Sequence, residues 1–140
     1  MTHNNKGFTL IEMLVVIAII AVLVSIIIPT ASKTTDKAAA AADAANLRSV
    51  LGYMNSVLMT DEMAIDEAVK AFNPPKSKLY PNAELYVLYT IPGVIDVYFV
   101  DGSNYYGLKY FSEVAENGET NLAATAPSTG SGDIWYKVGN

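Results

Sequence analysis

A single carboxylate, Glu12, lies at the head of an otherwise apolar stretch of this 140-residue chain. A charged residue within a membrane-spanning segment costs about 3 kcal/mol at the centre and less near an end, so such acids serve a function by default and need a compensating partner. Gly7 stands just before the same stretch and, lacking a Cβ, allows an extended backbone there. Other chemistry is scarce. The one histidine is His3 and there are no cysteines, which removes histidine-based triads, zinc sites and a disulfide framework. Asp61, Glu62, Asp66 and Glu67 could suggest a cation site, but spacings of three and four place them on a solvated helix face, and no metal or other cofactor is expected. Asp133 has no acidic companion nearby. Formal net charge is -5 with Arg48 as the one arginine, so no basic stripe suits nucleic acid, and no specific nucleic-acid partner is expected.

The element that holds Glu12 is the apolar run over residues 8–28, interrupted by Glu12 itself and by Ser25. As a helix it measures roughly 30 Å, the hydrocarbon thickness of a bilayer. A general secretory signal has a shorter apolar core and a small-residue cleavage site after it, whereas here Pro29-Thr30-Ala31-Ser32 follows a full-length span. His3 and Lys6 precede the span, while Lys33 and Lys37 follow it with Asp36 as an offset, so charge does not set the orientation. Pro29 gives no amide hydrogen to the carbonyl of Ser25, and a kink is expected there, with Ser25 placed to relieve part of the loss.

Lys6-Gly7-Phe8-Thr9-Leu10-Ile11-Glu12, together with the apolar run through Pro29, resembles the processing site and first helix of type IV pilins and related pseudopilins. The resemblance implies a leader of residues 1–7 removed after Gly7 by a prepilin peptidase that also N-methylates Phe8. Residues 8–29 would form a transmembrane helix that becomes the filament core, and residues 30–140 a globular head. Phe8 and Glu12 would serve filament assembly, with the amine of an incoming subunit meeting the carboxylate of a neighbour, and helicity would loosen near Pro29. Loss of Lys6 with the leader would take the charge to -6. Relatives often carry a glycine in mid-segment where this chain has Ala21, which favours helix by about 1 kcal/mol. The absence of cysteine resembles pilins of Gram-positive bacteria.

Beyond Pro29 an alanine-rich stretch, 37–46, has high helix propensity, and then Leu47, Val50, Leu51, Met54, Val57 and Leu58 recur at helical spacing. One helix over residues 8–58 would be roughly 75 Å long, far more than a globular head requires, so its front half should protrude. Thr60 can cap a second helix ending near Phe72, with Ile65, Ala68, Val69 and Phe72 buried and Asn73-Pro74-Pro75 closing it. Alternation over 84–91, 94–100, 105–111 and 134–138 predicts four strands in an antiparallel meander, with residues 123–132 as an exposed loop before the last. The fold class is α+β: a long helix, hydrophobic in its first half and amphipathic in its second, packed on a sheet of about four strands.

Nine tyrosines, among them Tyr86, Tyr98, Tyr106 and Tyr110, raise the idea of a sugar-binding face or an aromatic wire. Ordinary packing of half-buried strands accounts for them more simply. The expected function is structural, as a type IV pilus subunit and not an enzyme. Its partners would be other pilin subunits, the prepilin peptidase, the pilus assembly machinery and the membrane, and its location the bacterial cytoplasmic membrane before the cell surface. A pseudopilin of a type II secretion or DNA-uptake system is the alternative. A monomeric anchored binder would have to treat the pattern from Gly7 to Glu12 as coincidence, and a tethered enzyme lacks a catalytic constellation.

Overall fold

A computed structural model describes residues 7–60, 65–90, 93–124, 126–127, 130 and 132–139, the side chains of Pro29 and Thr60 excepted. Among the described residues three helices and four strands follow one another as α1 (Leu10–Thr60), α2 (Ile65–Ala71), β1 (Glu84–Thr90), β2 (Val94–Asp101), β3 (Asn104–Gly107), α3 (Leu108–Asn117) and β4 (Ile134–Lys137). The chain divides into two compact units, one ending at Thr34 and the other beginning at Thr35.

The first unit holds the apolar part of α1, which is long and apolar enough to cross a membrane. Every large apolar side chain from Phe8 to Ile28 is exposed, the least of them Val24 at 44%. Such a surface is unfavourable in water and favourable in hydrocarbon. The helix passes through Pro29 without interruption. Ser25 does not relieve the carbonyl left without a donor, because its hydroxyl donates to the carbonyl of Val22 at 2.7 Å. Thr30 and Thr34 likewise donate to Ile26 and Thr30 carbonyls, at 2.8 and 3.0 Å. Hydroxyls bonded back along the helix let polar side chains sit in it without seeking water.

In the second unit the buried face of α1 is Ala40, Ala44, Leu47, Val50 and Met54, spaced by three and four. Small residues come first and larger ones after, so this face grows bulkier along the helix. Leu85, Val87, Ile95, Val97, Phe99 and Tyr106 of the sheet join the same core, as do Ile65 and Val69 of α2 and Tyr110, Phe111 and Val114 of α3. Phe99 and Phe111 meet edge to face with centroids 5.8 Å apart, a favoured aromatic geometry.

Four strands form one antiparallel sheet in the order β3-β2-β1-β4. The first three make the expected meander, but β4 lies beside β1 at the opposite edge. The expected third strand, 105–111, is cut short at Gly107, and α3 takes over. In Tyr105-Tyr106-Gly107-Leu108-Lys109-Tyr110-Phe111 both periods are present, and Phe111 and Val114 at helical spacing win by burying fully. Gly118, at φ 72°, ends α3 with its N–H bonded to the carbonyl of Val114. Lys37 also serves this end, donating from Nζ to the carbonyl of Glu116 at 2.6 Å. Thr60 is the last residue of α1 and α2 is described from Ile65; the expected cap by the Thr60 side chain, with Asp61 and Glu62, lies outside what the structure describes.

Asp43 is fully buried in the midst of the alanine-rich stretch. Its carboxylate accepts hydrogen bonds from the Ser77 hydroxyl at 2.6 Å and from the backbone N–H groups of Lys78 and Leu79 at 2.7 and 3.0 Å. The Ser77 hydroxyl oxygen also accepts from the N–H of Tyr80 at 2.9 Å. The segment that leads into β1 is thereby tied to α1 through one acidic side chain.

Candidate functional site at the start of the first helix

Gly7, Phe8 and Thr9 precede the helix, and α1 begins at Leu10. The Gly7–Phe8 peptide is therefore outside helical hydrogen bonding, and a Cβ placed on Gly7 would meet nothing within 4 Å. Phe8 is 79% exposed. Open, non-helical backbone is what a peptidase needs in order to bind a substrate as an extended strand.

Thr9 and Glu12 close a reciprocal capping box. Glu12 Oε2 accepts from the backbone N–H of Thr9 at 2.8 Å and from its hydroxyl at 2.9 Å, while the N–H of Glu12 donates to Thr9 Oγ1 at 3.3 Å. The N–H groups of Glu12 and Met13 also reach the carbonyl of Thr9, at 3.1 and 3.3 Å. Amide donors at the head of a helix have no partners within it, and a carboxylate there meets both them and the positive end of the helix dipole. Glu12 is thus compensated within its own chain. Thr9 was not singled out by the sequence reading, although Ser or Thr followed three residues later by Glu before an apolar run is a recognised start signal.

This arrangement can hold a carboxylate at the boundary of an apolar helix, one turn from the point at which a new amine would arise if the Gly7–Phe8 bond were cut. His3 and Lys6 lie outside the described residues. Pro29 is far along α1 from Gly7, Phe8 and Glu12. Of the noted tyrosines, Tyr106 and Tyr110 belong to the core, where Tyr110 is in α3 and not in a strand. Tyr110 donates to the carbonyl of Thr120 at 2.9 Å and shares a short hydrogen bond with Tyr80, whose ring stacks on Tyr106 at 4.0 Å. Burial, then the bond to Tyr110, pushes the Tyr80 hydroxyl well above the usual phenol range.

A family comparison falls on the same segment. The prokaryotic N-terminal methylation motif matches residues 2–28. The type IV wide pilus major component PilA4 of Thermus thermophilus is 45% identical over 61 residues, covering 44% of this chain and 41% of that protein. The type II secretion system core protein G of Dickeya chrysanthemi is 35% identical over 88 residues, covering 58% of each. The chain thus spans about half the length of the curated relatives it matches. No solved structure matches it. With an N-terminal methylation motif at the head of a long first helix, the chain is homologous over about half its length to a type IV pilus component and a type II secretion core protein.

Proposed function

We propose that this protein is a subunit of a type IV pilus filament, made as a precursor, cut between Gly7 and Phe8, and methylated on the new amine of Phe8. Residues 8–29 hold the subunit in the cytoplasmic membrane as a single span and later pack in the filament core, and residues 30–140 form its head. The partners are further copies of the chain, the prepilin peptidase and the assembly machinery, and the work is polymerisation and not catalysis.

The observation that carries this reading is the capping box that joins Thr9 and Glu12 directly beside an accessible Gly7–Phe8 bond. The carboxylate rests on its own helix start while the subunit is alone. In a bundle of staggered helices the amine of an incoming Phe8 supplies a full positive charge, a stronger partner than two neutral donors when water is excluded. The exposed apolar surface from Phe8 to Ile28 supplies the contact area. A pseudopilin of a type II secretion system is the second reading, favoured by the greater share of the chain that the core protein G covers.

Mass spectrometry of the mature N-terminus tests the assignment. The expected species begins at a methylated Phe8. An intact Met1 on purified surface filaments would overturn it.

A further inference from the structure

The face of the sheet turned away from α1 carries a second aromatic cluster, separate from the core. Tyr86 of β1, Tyr98 of β2, Tyr105 of β3 and Trp135 of β4 are all half-buried, and none belongs to the core that α1 covers. Trp135 gathers them: its ring lies 5.5 Å from Tyr105, 5.8 Å from Tyr98 and 6.3 Å from Tyr86, centroid to centroid. Leu88, the cross-strand partner of Trp135, is 2% exposed and stands outside the main core, on the same face of the sheet as these rings. The platform is therefore preformed.

Beside it opens a cleft of about 360 Å³, lined by Tyr98, Tyr105, Gly107, Lys109, Glu113 and Leu122 among others. That volume is near the lower end of ligand sites, roughly 300–1,000 Å³, and suits one sugar ring. A Cβ on Gly107 would stand 2.8 Å from Tyr98 Cε1, so glycine is what lets the Tyr98 ring approach β3 this closely. Lys109 and Glu113 face each other at 3.8 Å, a loose and exposed pair whose groups are available to a ligand. Lys137 and Glu84 pair at 2.6 Å on β4 and β1.

We infer that this face and its cleft bind a neutral oligosaccharide, one ring seated between Tyr98, Tyr105 and Glu113 and the next stacked along the platform toward Trp135. Apolar faces of sugar rings suit half-exposed aromatic rings, while hydroxyls that both donate and accept suit a carboxylate and an ammonium side by side. The formal charge of -5 selects against polyanions, nucleic acid and acidic polysaccharide alike. Burial keeps the Tyr98 hydroxyl above the ordinary phenol range, so it stays a neutral donor. The inference is independent of leader processing and of polymerisation.

Trp135 is the one tryptophan of the chain, so its fluorescence reads the site directly. The full chain in a detergent without a sugar headgroup is titrated with cellohexaose, maltohexaose and polygalacturonate. A saturable change in Trp135 emission with at least one neutral hexasaccharide is expected, with affinity lowered about tenfold, or 1.4 kcal/mol, in Tyr105→Ala. Should Tyr105→Ala lose its fold by circular dichroism, Glu113→Gln replaces it, with a several-fold loss expected. Absence of any saturable change with either neutral hexasaccharide, unaltered affinity in the variant, or preference for polygalacturonate overturns the inference. So does a Trp135 change that follows protein concentration without sugar, which would make a second copy of the chain the occupant.

Discussion

The Asp43 carboxylate and the Ser77 hydroxyl meet at 2.6 Å in a place where the carboxylate is wholly buried. With the N–H groups of Lys78 and Leu79 as further donors, the acid is satisfied without a cation. Replacing Asp43 by Ala strands three donors at once. Unmet buried donors cost about 1–3 kcal/mol each where they stay dry, and the loss expected for Asp43→Ala is about 3 kcal/mol after some are reached by water. Asp43→Asn keeps one acceptor oxygen and should lose less. Urea unfolding followed by Trp135 fluorescence measures both, and equal stability of Asp43→Ala and wild type would refute the account.

Glu12→Val separates insertion from assembly. The substitution removes the capping box, about 1 kcal/mol of helix-start stability, and also removes the cost of an acid in the span. The head should fold unchanged and mature subunit should accumulate in the membrane. Polymer should fall severely, because the amine of an incoming Phe8 would be buried without its counter-charge. The ratio of sheared filament to membrane-bound mature subunit is the measurement, and an unchanged ratio would defeat the assembly role.

A fragment over residues 32–140 should be a soluble monomer. It keeps the buried face of α1 from Ala40 onward, the sheet and α3, and it lacks the exposed apolar surface between Phe8 and Ile28. Sedimentation equilibrium at increasing concentration checks this. Filaments formed by the fragment would show that subunits associate through the head instead.

Alkaline pH should weaken the head through Tyr80. Its folded pKa is raised by burial and by the bond to Tyr110, so the stability it contributes is whole below the unfolded phenol value of about 10 and is lost as pH rises beyond it. Tyr98 and Tyr106, raised by burial, and Lys70 and Lys137, raised by their bonds to Asp66 and Glu84, act in the same direction. Tyr80→Phe should cost about 1 kcal/mol at neutral pH through the lost hydrogen bond, yet show a shallower decline between pH 9 and 11. Parallel declines for the two proteins would count against the assignment to Tyr80.

Periodicity made most of the architecture legible. The stripe of Leu47, Val50 and Met54 predicted the buried face of α1, and alternation located β1, β2 and β4 to within a residue or two. It failed between Tyr105 and Phe111, where the residues fit both periods and only the long-range contact of Phe111 with Phe99 decides. The place of β4 was not readable either, since pairing partners in a sheet are set by tertiary packing and not by local pattern. Asp43 was hidden by its setting, an acid among alanines whose donors lie far along the chain. Thr9 was in plain view, but Glu12 drew attention as a charge in an apolar segment and not as half of a helix cap.

The position of β4 bears on when the head can form. This strand is the last of the four in the chain, yet it pairs with β1, the first, and beyond it the N–H groups of Val138 and Gly139 bond to the carbonyls of Leu85 and Val69. During synthesis β1, β2 and β3 emerge as a hairpin pair with one edge of β1 still open, and an open edge is an invitation to wrong pairing. Closure waits for residues that arrive after every other element has been delivered. The β1–β4 pairing is thus a contact of long sequence separation, the kind whose loop-closure cost slows folding.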